Sequence, residues 1–452
     1  MTVRKTSFAV SEKSKPETYR VYKRRWLMIF IFAAIYFINS AHWVQYTIIA
    51  DTIKKFYNVD TTMVNMTSVV YLVPYLPLIL PASYLIDKKG VRFTLLLAAI
   101  GNFFGSWLKV FSAHPNGFYI GLTGQTILAI SQLFILSLPP KLAGIWFDKH
   151  QMSTACTIGV FGTQLGIATS FFLTPIVVQD HDNLDSIGDD LYRLFIFMAI
   201  YTTVNLIITI LFFQEEPPTP PSEAQKLKKQ ENSNPIESFK KLLTNQPFVM
   251  LLCAYSINIG IYNTINTLLN PILVEHFKIN GAQFAGRIGV VFVASGTFSS
   301  VVFGMILDRT KKFKEVTAVV YFMSVVGMLA FTFAVISENK LFIYLSALMF
   351  GTFVSGYLVV GYETGVELTY PESEFNSSGL LIGVSSMAGV IFTFLFTYIL
   401  ETTSDFWANM GMAMLLMVGT VLTLFTRNVR KRQEALDPSK LKQHIEKNTE
   451  KF

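Results

Sequence analysis

Charged side chains are scarce in this chain: Asp, Glu, Lys and Arg make up 15% of its 452 residues, against ~25% in an ordinary water-soluble domain. With 52% of residues apolar and a mean hydropathy of +0.44, the chain cannot cover a water-facing surface and reads as a membrane protein. Cysteine is rarer still. Two Cys against 40 Phe exclude a disulfide-built secreted scaffold and a cysteine-ligated cluster. Both Cys156 and Cys253 fall in apolar runs, so neither reports a redox compartment. The six histidines are scattered with no His-Glu-x-x-His. There is also no Gly-x-x-x-x-Gly-Lys-Ser/Thr loop, which sets aside a nucleotide-driven pump. Neither an enzyme nor a resident metal or cofactor is expected.

What the chain has in quantity is apolar length. About 20 apolar residues cross ~30 Å of hydrocarbon at 1.5 Å per residue. Twelve such stretches stand near 26–49, 64–86, 93–111, 118–138, 153–178, 194–213, 247–275, 288–307, 316–336, 341–362, 379–400 and 406–426. The long polar stretch between the sixth and seventh opens Glu215-Glu216-Pro217-Pro218 and is rich in lysine, too polar to bury itself. The expected organisation is an N-tail (1–25), a six-helix half (26–214), a linker with a short surface helix (215–246), a second six-helix half (247–426) and a C-tail (427–452). The fold class is all-α, transmembrane.

Orientation follows from the basic residues, which are retained on the cytoplasmic side of span ends. With the amino terminus inside, cytoplasmic segments hold 29 of the 37 Lys and Arg, and outer loops hold five. Both termini are therefore expected in the cytoplasm. The outer loop from Gln179 to Leu191 carries five Asp and no Lys or Arg, in agreement. The net charge of +7 then describes faces beside anionic lipid rather than a nucleic-acid surface. A 25-residue basic tail precedes a first apolar run too long for the core of a signal peptide, so no cleavable leader is expected.

An internal repeat sharpens this reading. After span two the chain reads Leu85-Ile86-Asp87-Lys88-Lys89-Gly90-Val91-Arg92; after span eight it reads Met305-Ile306-Leu307-Asp308-Arg309-Thr310-Lys311-Lys312. The acid-then-base loop resembles that of the major facilitator superfamily, Gly-x-x-x-Asp-Arg/Lys-x-Gly-Arg, with Ser83 replacing the leading Gly of the first copy. The resemblance implies twelve helices in two halves that rock about a central site, and a gate formed by Asp87, Arg92, Asp308 and Arg309. Glu363 and Glu367, at i and i+4 near the end of span ten, are expected as partners of that gate.

The segments Asn39 to Ile49, Ser68 to Tyr71, Tyr75 to Leu78, Ser153 to Cys156, Gly162 to Gly166, Thr267 to Asn270 and Glu367 to Glu374 are together similar to the feline leukaemia virus subgroup C receptor family. That resemblance implies transport of choline, ethanolamine or haem. It carries Trp43 as the aromatic wall of a cation cage, Gln164 as its polar partner and Tyr71 as a further wall. Three positions depart from the family pattern: Asn263 stands where the family has a tyrosine, Ser386 where it has a glutamine, and Leu72 where it has a methionine.

The residues themselves support a cation. Asn39, Trp43 and Tyr46 fall at i, i+4 and i+7 on one helical face, and Asn263, Asn266 and Asn270 fall at i, i+3 and i+7 beside Tyr262. Mid-span amides face protein or water because they are costly in lipid. They also bond neighbouring helices together, which is the simpler account of any single one. No Asp or Glu stands in the middle of a span, which suits a quaternary ammonium held over an aromatic face. It also leaves no obvious proton carrier, so facilitated transport is expected. His42, next to Trp43 in sequence, is turned from that face. Lys109, Lys141 and Arg193 lie within or beside spans, but mid-span basic groups for haem propionates are lacking. The expected substrate is choline or a related small organic cation such as ethanolamine, with haem or another metabolite, or a non-transporting receptor, as alternatives. A monomer in the plasma membrane is expected.

Overall fold

The computed structural model of the chain describes residues 22–136, 138–147, 151–218, 235–277, 280–310, 312–369 and 374–426. The expected N-tail before residue 22, the middle of the linker and the C-tail lie outside the described residues, as do the side chains of Asp87 and Asp308. The described residues form helices and no strand. In chain order the α-helices are α1 (Arg25–Trp43), α2 (Ala50–Tyr57), α3 (Thr61–Val69), α4 (Tyr75–Phe111), α5 (Phe118–Leu136), α6 (Pro139–Trp146), α7 (Met152–Val177) and α8 (Leu184–Phe212). They continue as α9 (Pro235–Thr244), α10 (Gln246–His276), α11 (Gly281–Thr310), α12 (Phe313–Ile336), α13 (Lys340–Thr369), α14 (Glu374–Thr402) and α15 (Asp405–Phe425).

Eleven described helical stretches are long and apolar enough to cross a bilayer, one of them running from Arg25 through α2 to Tyr57. The second of the twelve expected spans is the exception, because it is broken. It comprises α3, a turn at residues 70–74, and the first part of α4 to Ile86. Proline explains the break: Pro74 caps α4, Pro77 follows two residues into it and Pro81 lies inside, and each lacks the N–H that would continue the ladder. Local signals set other boundaries. Asp60 and Asn183 accept backbone N–H groups at the starts of α3 and α8, and Asn58 closes α2 in the left-handed conformation.

The packing repeats. Span three lies against spans four and six (α4 on α5 and α8), and in the second half span nine lies against spans ten and twelve (α12 on α13 and α15). Span one pairs with span five (α1 on α7) as span seven pairs with span eleven (α10 on α14). Across the middle, span five packs on span eight (α7 on α11), and span two packs on span eleven (α4 and α3 on α14). These pairings describe two bundles of the same design meeting face to face. Helix α1 approaches α7 closely because Gly162 and Gly166 stand where a β-carbon would collide with the carbonyls of Ala33 and Phe37. Large apolar side chains such as Phe104, Phe197, Phe298 and Val319 are exposed on the outside, the surface a lipid chain would cover.

The acid-base loop of the first half is built around Gly90, whose φ of 88° and ψ of 175° split α4 into two helical segments. That backbone region is open essentially to glycine alone. The second segment starts with free N–H groups at Val91 and Arg92, and both donate to the carboxylate of Glu215, at 2.7 and 2.6 Å. The anion sits at the positive end of the helix dipole. The Arg92 guanidinium turns the other way and donates to the Ile210 carbonyl near the end of α8. Lys141 of α6 likewise donates to the Ile86 carbonyl. Gly90→Ala is expected to destabilise the protein by about 1–3 kcal/mol, because the side chain is strained at this φ and strikes Glu215. Thermal unfolding in detergent checks this, and an unchanged melting temperature would contradict it.

Candidate functional site

Span one does not run straight through. Helix α1 ends at Trp43, Val44 leaves helical geometry (φ −96°, ψ 3°), and a three-residue 3-10 turn at Thr47–Ile49 leads into α2. Interrupting a transmembrane helix frees backbone carbonyls that must find other donors. Here side-chain amides supply them. Gln125 of α5 donates to the His42 carbonyl at 2.6 Å, and Asn270 of α10, from the other half, donates to the Ile48 carbonyl at 2.6 Å.

Trp43 closes α1 beside this break. Its ring is buried, and its indole Nε1 makes no hydrogen bond within the protein. Gln164 on α7 is half-buried, and its side-chain Oε1 is likewise without a partner, as is the neighbouring Thr163 hydroxyl. The glycines either side of Gln164 face Ala33 and Phe37. Gln164 therefore stands about eight residues, or ~12 Å, short of Trp43 along α1. Helical side chains lean toward the N-terminus of their own helix, so the indole leans back toward the level of Gln164.

Other expected residues are placed as follows. Leu72 of span two and Asn263 of α10 converge on Gly389 of α14, where a β-carbon would meet the Leu72 methyl at 3.1 Å and the Asn263 amide at 3.2 Å. Ser386 is buried one turn earlier on α14. Three elements from both halves thus meet at one point. Tyr71 is buried and its hydroxyl reaches the Asn39 carbonyl at 3.5 Å. Tyr262 is buried, and its carbonyl accepts from the Asn266 amide at 2.8 Å, leaving Asn266 Oδ1 unpartnered.

Two residues expected on the Trp43 face are engaged inside the first half. Asn39 donates to the Asn102 side chain at 2.8 Å and to the Leu128 carbonyl at 2.9 Å, the interhelical role open to any single asparagine. The Tyr46 ring lies beneath the Lys109 ammonium, 4.4 Å from its centroid, and against Phe195. Spacing on one helical face held only while the helix was unbroken, and the break between Trp43 and Thr47 separates Tyr46 from its partners.

Of the expected gate residues, Arg92 and Arg309 are exposed; Glu363 is exposed and Glu367 buried in the last turns of α13. Sequence reasoning missed two residues. Glu215, placed at the head of the linker, is the anion that caps the Gly90 turn. Lys109 was expected within or beside a span, with no basic side chain held inside the bundle; instead it is fully buried. Its ammonium lies against the Tyr46 and Phe195 rings and finds enough neutral acceptors to remain there. The buried carboxylates among the described residues are Asp190, Glu367 and Asp405, each near a helix end. None of the described residues forms a metal-binding cluster.

Two pseudo-equivalent bundles of membrane-spanning helices, with broken spans where they meet, have the architecture of a membrane solute carrier. Residues 26–377 match the Major Facilitator Superfamily, and the chain belongs to that superfamily and to the family of FLVCR1 and FLVCR2 within it. It is 37% identical over 434 residues to the zebrafish (Danio rerio) choline/ethanolamine transporter flvcr2b, covering 95% of this chain and 89% of that one. It is 36% identical to the human choline/ethanolamine transporter FLVCR2, covering 92% and 80%. An uncharacterized MFS-type transporter of Caenorhabditis elegans is 39% identical, covering 94% and 72%. Among solved structures, a bacterial homolog of the human lysosomal transporter Spinster superposes with a TM-score of 0.74 at 14% identity, covering 90% and 98%. The protein is an integral multi-pass membrane transporter and not an enzyme.

Proposed function

We propose that this protein moves choline or ethanolamine across the membrane by facilitated transport, with Trp43 as the aromatic wall of the cation site and Gln164 as its polar partner. Tyr71, Leu72, Tyr262, Asn263, Asn266 and Ser386 complete the chamber between the halves. The observation that carries the reading is that Trp43 Nε1 and Gln164 Oε1 are each buried without a hydrogen-bond partner, in a protein interior whose described mid-span residues include no carboxylate. A quaternary ammonium offers no N–H to a carboxylate and is well held over an aromatic face within ~6 Å. The names of the relatives point to the same substrates.

Haem is supported less well. Both ring nitrogens of His42 are engaged inside the first half, and Tyr46 is covered by Lys109. Both termini face the cytoplasm in this proposal, on the strength of the basic residues, and the protein works as a monomer in the plasma membrane.

The test is uptake of labelled choline and ethanolamine into proteoliposomes. A monovalent cation gains ~2.3 kcal/mol from a potential of 100 mV, so an inside-negative potential of that size drives accumulation of about 50-fold. An imposed pH gradient at clamped voltage leaves the rate unchanged. Absence of uptake of both amines would defeat the proposal, and acceleration by the pH gradient would replace facilitated transport with proton coupling.

A further inference from the structure

Lys109 lies two residues before the end of α4, fully buried, and plays no part in the chamber described above. Its Nζ donates to Gln45 Oε1, to Gln125 Oε1 at 3.0 Å and to His42 Nδ1 at 3.1 Å. An ammonium has three N–H groups and no acceptor capacity, so three acceptors satisfy it completely. Two aromatic faces cover the rest of the charge, with the Tyr46 and Phe195 centroids at 4.4 and 5.1 Å. No carboxylate takes part. The first half therefore contains a cage of amide oxygens and rings already filled by a tethered cation.

The cage is assembled on the break in span one. His42 lies just before Trp43, while Gln45 and Tyr46 lie in the interruption itself. Because Gln125 turns its oxygen to Lys109, its NH2 group is presented to the His42 carbonyl, which the end of α1 has left without a helical donor. Because Gln45 turns its oxygen to the same ammonium, its NH2 group faces Met198 Sδ of α8 at 2.9 Å. With Nδ1 accepting from Lys109, the His42 proton resides on Nε2 and is donated to Ser106 at 3.0 Å. Removing the ammonium would leave three acceptors facing one another in a buried site, and each would have to reorient. The carbonyl immediately before Trp43 would then lose its donor.

We propose that Lys109 is a positioning residue for transport: its ammonium fixes the interruption of span one and thereby the orientation of Trp43 toward substrate. This inference rests on the proposed role of Trp43 as the cation wall, and the experiment separates the two. Choline transport kinetics are measured for Lys109→Met, Gln125→Leu, Trp43→Phe and the double variant Lys109→Met/Trp43→Phe, each checked for monodispersity and melting temperature in detergent. Lys109→Met is expected to raise KM about 10-fold with kcat changed less than about 2-fold, and Gln125→Leu to raise KM about 3-fold. The double variant is expected to be no weaker than Trp43→Phe alone, since Lys109 acts through Trp43. A folded Lys109→Met protein with the parent KM overturns the inference. Full additivity in the double variant overturns it as well. If Lys109→Met does not fold, Gln125→Leu decides, and a parental KM there overturns it. If Trp43→Phe alone has no effect, the reading of the substrate site fails instead, and the inference fails with it.

Discussion

Trp43→Ala is expected to abolish choline transport at tracer concentrations while the protein remains folded. A cation desolvated over an indole face gains up to ~2 kcal/mol from that contact, which corresponds to a loss of about 30-fold in affinity before any change in the shape of the chamber is counted. The fold does not lean on the indole's polar group, because Nε1 makes no hydrogen bond within the protein. Melting temperature and monodispersity are therefore expected to stay close to those of the parent. Gln164→Ala provides a graded comparison: loss of one hydrogen bond to a charged ligand, at ~1.5–3 kcal/mol, weakens affinity about 10-fold or more. Parental uptake by a folded Trp43→Ala protein would remove the aromatic cage and leave the family relationship without a mechanism here.

The large features of this molecule were legible in its sequence for one physical reason: a bilayer demands long uninterrupted apolar runs, and such runs are visible without knowledge of tertiary contacts. The same holds for the repeated acid-base loop, whereas the positive φ of Gly90 within it emerged only from the structure. What stayed hidden depended on contacts between segments far apart in the chain. The interruption after Trp43 contains no glycine or proline; it is sustained by amides from α5 and α10 that satisfy the freed carbonyls. Helical spacing therefore put Tyr46 beside Trp43, whereas the observed chain carries it under Lys109. The break in span two was readable from Pro74, Pro77 and Pro81, yet the apolar run alone hid it. Glu215 looked like the first residue of a polar linker, because nothing local says that its carboxylate returns to cap Val91 and Arg92. Lys109 looked like a residue near a span end, and only the convergence of Gln45, Gln125 and His42 shows how its charge is kept inside.

Oxidation of a cysteine pair at positions 68 and 267 is expected to stop transport, and reduction to restore it. Three hydrogen bonds join the two halves at one end of the bundle. Ser68 meets Thr267 at 2.9 Å, Asn65 donates to Thr397 at 2.9 Å, and Asn270 donates to the Ile48 carbonyl at 2.6 Å. Each lies toward the end of its helix remote from Arg25, the end opposite the Gly90 turn. All three are neutral amide and hydroxyl contacts, each worth about 0.5–1.5 kcal/mol net. Contacts of that size suit a gate that opens in every cycle. Hydroxyl oxygens 2.9 Å apart place their β-carbons near the ~3.5–4.5 Å separation that a disulfide requires. The Ser68→Cys, Thr267→Cys pair is made in a background carrying Cys156→Ser and Cys253→Ala, so that the new pair holds the sole thiols. Cross-linking is quantified by mass spectrometry alongside choline uptake in proteoliposomes. Complete cross-linking with undiminished uptake would show that the two halves do not separate at this seam, and alternating access would have to proceed by movement elsewhere.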